Sequence, residues 1–154
     1  MIKTLNCFDI AEYFIKLANS TGSFISNLKL QKLVYYAQAW HLALHNEPLF
    51  SEDFEAWVHG PVIPELYKKY QEFGWHPIEQ EVEPDLPTEV REFLDEVSLE
   101  YFACDTYELE QMTRIEAPWQ IARGNLPADA ASNSIINQEW IKEYFTKRAE
   151  EKED

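Results

Sequence analysis

Glycine is scarce in this sequence, and its glycines lie far apart. The four glycines among the 154 residues stand at positions 22, 60, 74 and 124. Phosphate-binding loops need closely spaced glycines, because their backbone must approach the ligand without a Cβ in the way. The sequence therefore excludes a glycine-rich phosphate loop, and it favours helices over hairpins that depend on glycine.

Cysteines and long apolar runs are also few. The two cysteines, Cys7 and Cys104, are far from each other in the sequence, and neither has a second cysteine at metal-ligand spacing. No window approaches the ~18 apolar residues of a membrane span, and the first residues lack the pattern of a signal peptide. These absences predict a cytoplasmic protein with reduced cysteines and no membrane contact.

Basic residues are outnumbered. The chain has 13 Lys and Arg against 28 Asp and Glu, a formal net charge of −15. Between Glu79 and Glu110, twelve acids accompany a single base, Arg91, for a local charge of −11. Direct nucleic-acid binding is disfavoured, because it requires cations that replace phosphate counterions. Two interpretations stay open: an ordinary acidic surface, or attraction to a basic partner.

Helical periodicity dominates the rest of the chain. A first helix is predicted near 7–19 and a longer one near 27–45, in which apolar residues from Leu30 to Leu44 repeat at three- and four-residue spacing. Further helices are predicted to start at Pro64, Pro87, Asp105 and Pro118 and after Asn137. The predicted fold class is mainly α, a single domain around the helix 27–45, with Trp40 packed inside.

A small antiparallel β element completes the predicted fold. Residues 54–58 alternate between apolar and polar or small side chains before Gly60 and Pro61, which predicts a short strand followed by a turn. A second extended piece near 75–82 is predicted to pair with this strand.

Two histidines on the predicted central helix give the alternative function. His41 and His45 stand four residues apart, a spacing that lets two imidazoles share a metal ion. No glutamate adjoins the first histidine and no third ligand is evident, so packing is the competing explanation. A metal-dependent or hydrolytic enzyme using this pair and nearby carboxylates is kept as the alternative.

Lysines and aromatics crowd the same helix. Lys29, Lys32 and Tyr36 share one face at spacings of three and four. A lysine beside aromatic rings can hold an internal carbonyl or carboxylate, or present a cation to a partner. Both roles stay open.

Several sequence blocks carry a resemblance to a known family. They are Lys29-Leu-Gln-Lys-Leu-Val-Tyr-Tyr-Ala-Gln-Ala-Trp40, Pro48-Leu-Phe50, Glu55-Ala-Trp-Val-His-Gly-Pro-Val-Ile-Pro64, Glu116-Ala-Pro-Trp119 with Ala122-Arg123, and Ile141 to Phe145 in the last predicted helix. In this order they resemble the SocA-like antitoxins built on the Panacea domain, a family that includes many phage-associated proteins. Arg114 departs from the pattern, since similar proteins usually have a histidine there.

The resemblance implies an antitoxin that neutralises a cognate protein toxin by direct binding, without enzymatic activity, cofactor or metal. One relative delivers its toxin to an ATP-dependent protease, so this second route stays open. The acidic charge favours a basic toxin. Self-association into a homo-oligomer is also left open.

The resemblance assigns residues 1–149 to the Panacea domain and leaves 150–154 as a charged tail. The candidates for family-motif or partner-binding roles are Lys29, Lys32, Tyr35, Tyr36, Trp40, Trp57, Gly60, Pro61, Glu116, Pro118 and Trp119. Glu89, Glu92 and Glu96 share one predicted helix face and are the candidates for electrostatic steering.

Overall fold

The computed structural model describes residues 5–23 and 25–153. Their elements are α1 (Cys7–Thr21), α2 (Asn27–His45), β1 (Glu55–Trp57), β2 (Gly60–Val62), α3 (Pro64–Lys69), a 3-10 turn (Gln71–Phe73), α4 (Thr88–Tyr101), α5 (Thr106–Arg114), α6 (Ala117–Arg123) and α7 (Gln138–Glu153). The predicted mainly helical fold with a small antiparallel sheet is confirmed.

Helix α2 runs through the centre of the molecule. It packs against α1, α3, α4, α5, α7 and β2, and every residue from Leu30 to Trp40 is buried. Surrounded helices of this kind carry apolar residues on all sides rather than along one stripe. The predicted position of this helix and the predicted packing of Trp40 are both confirmed.

Local capping signals place several helix ends. Asn6 and Asp9 form a reciprocal capping box at α1, and Asp105 and Glu108 form one at α5. In each box the two side-chain oxygens accept two backbone N–H groups that the first helical turn leaves unpaired. The Asn137 side chain accepts the Glu139 N–H at 2.7 Å near the start of α7, so these predicted starts are confirmed.

The sheet differs from the predicted one. Strand β1 pairs with β2 in antiparallel register, Glu55 opposite Val62 and Trp57 opposite Gly60. The prediction that 54–58 pairs with 75–82 is therefore wrong, as is the prediction of a turn at Gly60 and Pro61, since the turn occupies 58–59. The left-handed φ of Gly60, 101°, lets the chain reverse within two residues.

Other backbone groups hold the segments on either side of this hairpin. Ile78 donates its N–H to the Ile25 carbonyl at 2.9 Å, which keeps 75–82 beside the start of α2 instead of in the sheet. The outer side of β1 bonds residues 134–136, through the Ala56 N–H to the Ser134 carbonyl at 2.8 Å.

Two buried glutamines fasten the chain that follows α2 back onto that helix. Gln38 donates to the Phe50 carbonyl at 2.8 Å and accepts the Leu49 N–H at 2.7 Å. Gln31 accepts the Ile63 N–H at 3.0 Å. Buried backbone groups need such partners because water cannot reach them.

Helix α7 lies across α2 and closes the core. Ile141 and Phe145 are buried against it. The helix continues to Glu153, so residues 150–153 of the predicted charged tail are helical. Residues 1–4 and 154 lie outside the described residues, and the boundary at 149 stays a prediction.

The two hydrogen bonds that Gln38 forms with the backbone of Leu49 and Phe50 lead to a stability prediction. Replacing Gln38 with Leu leaves the Leu49 N–H and the Phe50 carbonyl buried without a partner, at a cost of about 1–3 kcal/mol for each group. We expect a lower urea midpoint with an unchanged slope, measured by far-UV circular dichroism. Gln80→Leu, at an exposed loop position, is the matched control. Equal urea midpoints for the two variants would contradict a stabilising role of the Gln38 hydrogen bonds.

Candidate partner-binding surface

Most of the family-motif candidates lie in the interior. Among them only Lys29 and Trp57 are partly exposed; the others are buried, namely Lys32, Tyr35, Tyr36, Trp40, Gly60, Pro61, Glu116, Pro118 and Trp119. Apart from Trp40, part of whose ring lines a surface groove described below, these buried side chains cannot touch a partner while the domain keeps this conformation. Their contacts show what they do within the fold.

Lys32 joins α2 to the β hairpin. Its side chain is fully buried and its Nζ donates to the Pro61 carbonyl at 3.1 Å. Gly60 leaves room for it, because a Cβ there would lie 2.8 Å from Lys32 Cε and 2.6 Å from Thr113 Oγ1. Burial lowers the pKa of Lys32 to about 7, an effect that the nearby Glu110 carboxylate partly opposes.

Lys29 joins the start of α2 to the end of α4. Its Nζ donates to the Phe102 carbonyl at 2.7 Å and lies 5.0 Å from the centroid of the Phe102 ring. Partial burial lowers the pKa of Lys29. Of the two roles left open for these lysines, the structure therefore shows the internal one for both Lys29 and Lys32.

A buried carboxylate lies at the centre of an aromatic cluster. Glu116 Oε2 accepts hydrogen bonds from Tyr36 Oη and from Arg148 NH1, both at 3.1 Å. Its Oε1 has no hydrogen-bond partner among the described residues. Burial raises the pKa of Glu116 to about 7, although Tyr36 and Arg148 both favour the charged form.

The same cluster reaches Trp40. The Tyr36 ring stacks on the Tyr101 ring with centroids 4.1 Å apart, and Tyr101 Oη accepts the Trp40 Nε1–H at 2.7 Å. Tyr35 contacts Tyr36, Phe54 and Phe145 edge-on. These aromatic candidates therefore pack α2 against α4 and α7.

Helix α6 is fastened to the hairpin by an indole and a guanidinium. Trp119 Nε1 donates to the Trp57 carbonyl at 2.8 Å. Arg123 donates to the Ala56 carbonyl at 2.9 Å and lies 4.7 Å from the centroid of the Trp119 ring. Pro118, in the first turn of α6, suits a position where no backbone N–H is needed.

Arg114, where similar proteins usually have a histidine, covers the outer face of this region. Its guanidinium carbon lies 5.3 Å from the centroid of the Trp119 ring. It also donates to the Ala128 carbonyl at 3.4 Å. Here this position contributes a cation that packs on an aromatic ring.

The three steering candidates are exposed. Glu89, Glu92 and Glu96 lie along the outer face of α4. In the described part of the chain none of them forms an ion pair, whereas the nearby Glu83 and Glu100 are paired with lysines. Their carboxylates project a negative field into the solvent.

Beside this acidic face lies a surface groove that the sequence did not reveal. Leu44, predicted to continue the apolar stripe of α2, is 57% exposed and forms part of the groove wall. Trp40 forms part of its floor, and Phe93 and Val97 of α4 face it. The last turn of α2 extends beyond its cover, so periodicity alone could not distinguish Leu44 from the buried positions.

Comparison with known proteins identifies the family. The sequence matches the family described as "Antitoxin SocA-like, Panacea domain" over residues 30–120. The chain belongs to this family. It is also 46% identical over 50 residues to "Antitoxin SocA" of Caulobacter vibrioides, a match that covers 32% of this chain and 27% of that relative. No solved structure matches the chain.

The Panacea match includes α2 from Leu30 onward and the Glu116 block, but it ends before α7. Arg148, which pairs with Glu116, therefore lies outside the matched residues. The sequence analysis did not single it out, although it continues the buried face of Ile141 and Phe145 at three- and four-residue spacing. A charged residue on an apolar face was the available signal.

The histidine pair gives no support to the alternative enzyme. The His41 and His45 rings lie 4.6 Å apart and both pack edge-on against Phe93. His41 Nδ1 lies 2.6 Å from the Glu47 carbonyl oxygen. Within 5–23 and 25–153, no three or more His, Cys, Asp or Glu residues are grouped so that they could hold a metal ion.

The described helices also lack a membrane candidate. None of them combines the length and the apolar character that crossing a bilayer requires.

The buried amine of Lys32 predicts a distinctive pH dependence. Its pKa is about 7 in the folded state and near the ordinary 10.5 in the unfolded chain. Between these values the unfolded chain binds more protons, so this group makes the unfolding free energy rise with pH, by about 1 kcal/mol per pH unit. We expect Lys32→Met to remove that rise between pH 7 and 9, measured by urea unfolding. Lys147→Met, at an exposed lysine, should keep the wild-type slope; equal slopes for wild type and Lys32→Met would refute the assignment.

Proposed function

We propose that this protein is an antitoxin that neutralises a cognate protein toxin by direct, non-catalytic binding. The observation that carries the proposal is the family match over residues 30–120. The shorter similarity to the antitoxin of Caulobacter vibrioides agrees with it. The structure supports a binding role because Glu89, Glu92 and Glu96 are exposed on α4 and form no ion pair among the described residues.

The acidic surface favours a basic toxin. Glu89, Glu92 and Glu96 are exposed on α4, within the segment of local charge −11. Proteins that act on nucleic acids or nucleotides hold phosphate with cationic surfaces, and an acidic binder both attracts such a surface and covers it. We assign the first encounter to α4 and the buried family residues to the fold that supports it.

Delivery of the bound toxin to an ATP-dependent protease is a second route that shares the same first step. Direct inhibition needs only occupancy of the toxin, whereas an adaptor also needs the protease. The two routes therefore differ in their dependence on the host's proteases.

Co-expression tests the function and separates the routes. The product of the neighbouring gene, expressed alone in a bacterial host, is expected to stop growth, and this protein is expected to restore it. Rescue in a host without cytosolic ATP-dependent proteases indicates direct inhibition, and rescue lost in that host indicates an adaptor. An unrelated acidic protein of similar net charge is the control. A harmless neighbour, or toxicity that this protein does not relieve, would refute the proposal.

Electrostatic steering predicts a salt-sensitive association rate. The triple change of Glu89, Glu92 and Glu96 to Gln should slow association with the toxin about three- to tenfold at low salt, with a smaller effect on dissociation. Wild-type association should also slow as salt rises, because the Debye length falls from about 10 Å at 0.1 M to about 3 Å at 1 M. Stopped-flow binding measures both effects.

The matched control for this triple variant lies on α7. Glu139, Glu143 and Glu150 are exposed, and changing them to Gln alters the net charge by the same amount. Equal rates for the two triple variants would show that net charge, rather than the α4 face, governs the encounter.

A further inference from the structure

The groove beside Trp40 is an apolar recess on the molecular surface. It lies between α4 and the C-terminal parts of α2 and α7 and encloses about 290 Å³. Trp40, Leu44, Phe93 and Val97 supply its apolar surface. Such a recess can accept one or a few apolar side chains of a partner, which is how most interfaces obtain their central anchor.

Carboxylates border one side of the groove. Glu96 and Glu100 of α4 line it directly. Glu89 and Glu92 continue the row of Glu96 at helical spacing. Leu99, which is 88% exposed, is not among the residues that line the groove. An apolar slot edged by acids is complementary to a segment with apolar residues on one face and basic residues beside them.

The chain's own Lys152 shows that the groove accepts a cation. Its Nζ lies 5.1 Å from the centroid of the Trp40 ring and 3.9 Å from Glu100 Oε1. The side chains of Lys152 and Glu100 are both more than half exposed. Exposed ion pairs of this kind contribute little, so a partner's cation can take the place of Lys152 readily.

We propose that this groove receives a basic amphipathic helix of the toxin. This proposal rests on the antitoxin function proposed above. Apolar side chains of that helix enter between Leu44 and Val97, and a lysine or arginine replaces Lys152 between Glu100 and the Trp40 ring. A second copy of this chain is a poorer occupant, because each copy carries a net charge of −15.

A synthetic peptide tests the chemistry of the groove without the toxin. The probe is an eighteen-residue helical peptide with leucines on one face and lysines on the other, titrated into the full chain by calorimetry. Chemical-shift changes at the Trp40 indole N–H, assigned by the loss of its signal in Trp40→Phe, report whether the peptide reaches the groove.

Matched variants locate the contact. Leu44→Asn should weaken peptide binding at least tenfold, whereas Leu99→Asn, at an exposed leucine outside the groove, should leave it unchanged. Lys152→Ala should tighten binding about threefold by removing the competing cation, whereas Lys147→Ala should not. Circular dichroism confirms that every variant is folded.

Several results would overturn the proposal. Binding that is absent, or unaffected by Leu44→Asn, excludes the groove as the peptide site. Equal binding of a peptide with glutamates in place of the lysines excludes selection for a cation. A Leu44-dependent dimer in size-exclusion chromatography with light scattering would make a second copy the occupant instead.

The co-expression assay separates this proposal from the function on which it rests. If the wild type and Leu44→Asn rescue growth equally well, the toxin does not use the groove, and the antitoxin function stands. If only Leu44→Asn fails to rescue, both are supported. If the wild type itself fails to rescue growth, the antitoxin function is refuted. The toxin is then also excluded as the occupant of the groove, whatever the result of the peptide titration.

Discussion

Burial of α2 on every side between Leu30 and Trp40 is the constraint on which the rest of the structure depends. Where a helix has no solvent-facing side, its polar side chains find hydrogen-bond partners in the elements around it. Gln31, Lys32 and Gln38 do so by bonding backbone groups of the chain between Leu49 and Ile63. The course of that chain, including the hairpin, is therefore set by the polar side chains of one helix.

The interior and the surface carry charges of different kinds. Inside, Lys32 and Glu116 have pKa values that burial moves toward 7 from opposite directions. Arg123 and Arg148 retain carbonyl, carboxylate and aromatic neighbours. Outside, α4 presents Glu89, Glu92 and Glu96, which form no ion pair among the described residues, so most of the charge that this face offers to a partner is negative.

The long, strongly patterned parts of the fold could be predicted from the sequence. Helix α2 is nineteen residues long and has apolar residues at three- and four-residue spacing from Leu30 to Leu44. The capping boxes of α1 and α5 are local signals that need no tertiary information. The pairing of β1 could not be predicted in this way. A strand of three residues carries too little side-chain pattern to select its partner strand. The pairing of β1 with β2 depends instead on the left-handed backbone of Gly60 and on the hydrogen bond from Lys32 to the Pro61 carbonyl.

The candidate partner-binding surface likewise has parts that the sequence predicts and parts that it does not. Sequence placed the acids of α4 outside, because their spacing avoids the apolar face of Val90, Phe93 and Val97. It could not separate Trp40, which is 8% exposed, from Leu44 one turn later, which is 57% exposed. That difference depends on where α7 and α4 end their coverage of α2, which is a property of packing between distant segments.

The position of α7 also bears on how the domain forms during synthesis. It is the last of the described elements to leave the ribosome, yet it supplies Phe145 to the core and Arg148 to Glu116. Until it arrives, the aromatic face of α2 around Tyr35 and Tyr36 lacks its cover, and exposed aromatic surface of this kind attracts chaperones and proteases. The core of the described residues is therefore complete only once α7 has been synthesised and has packed against α2.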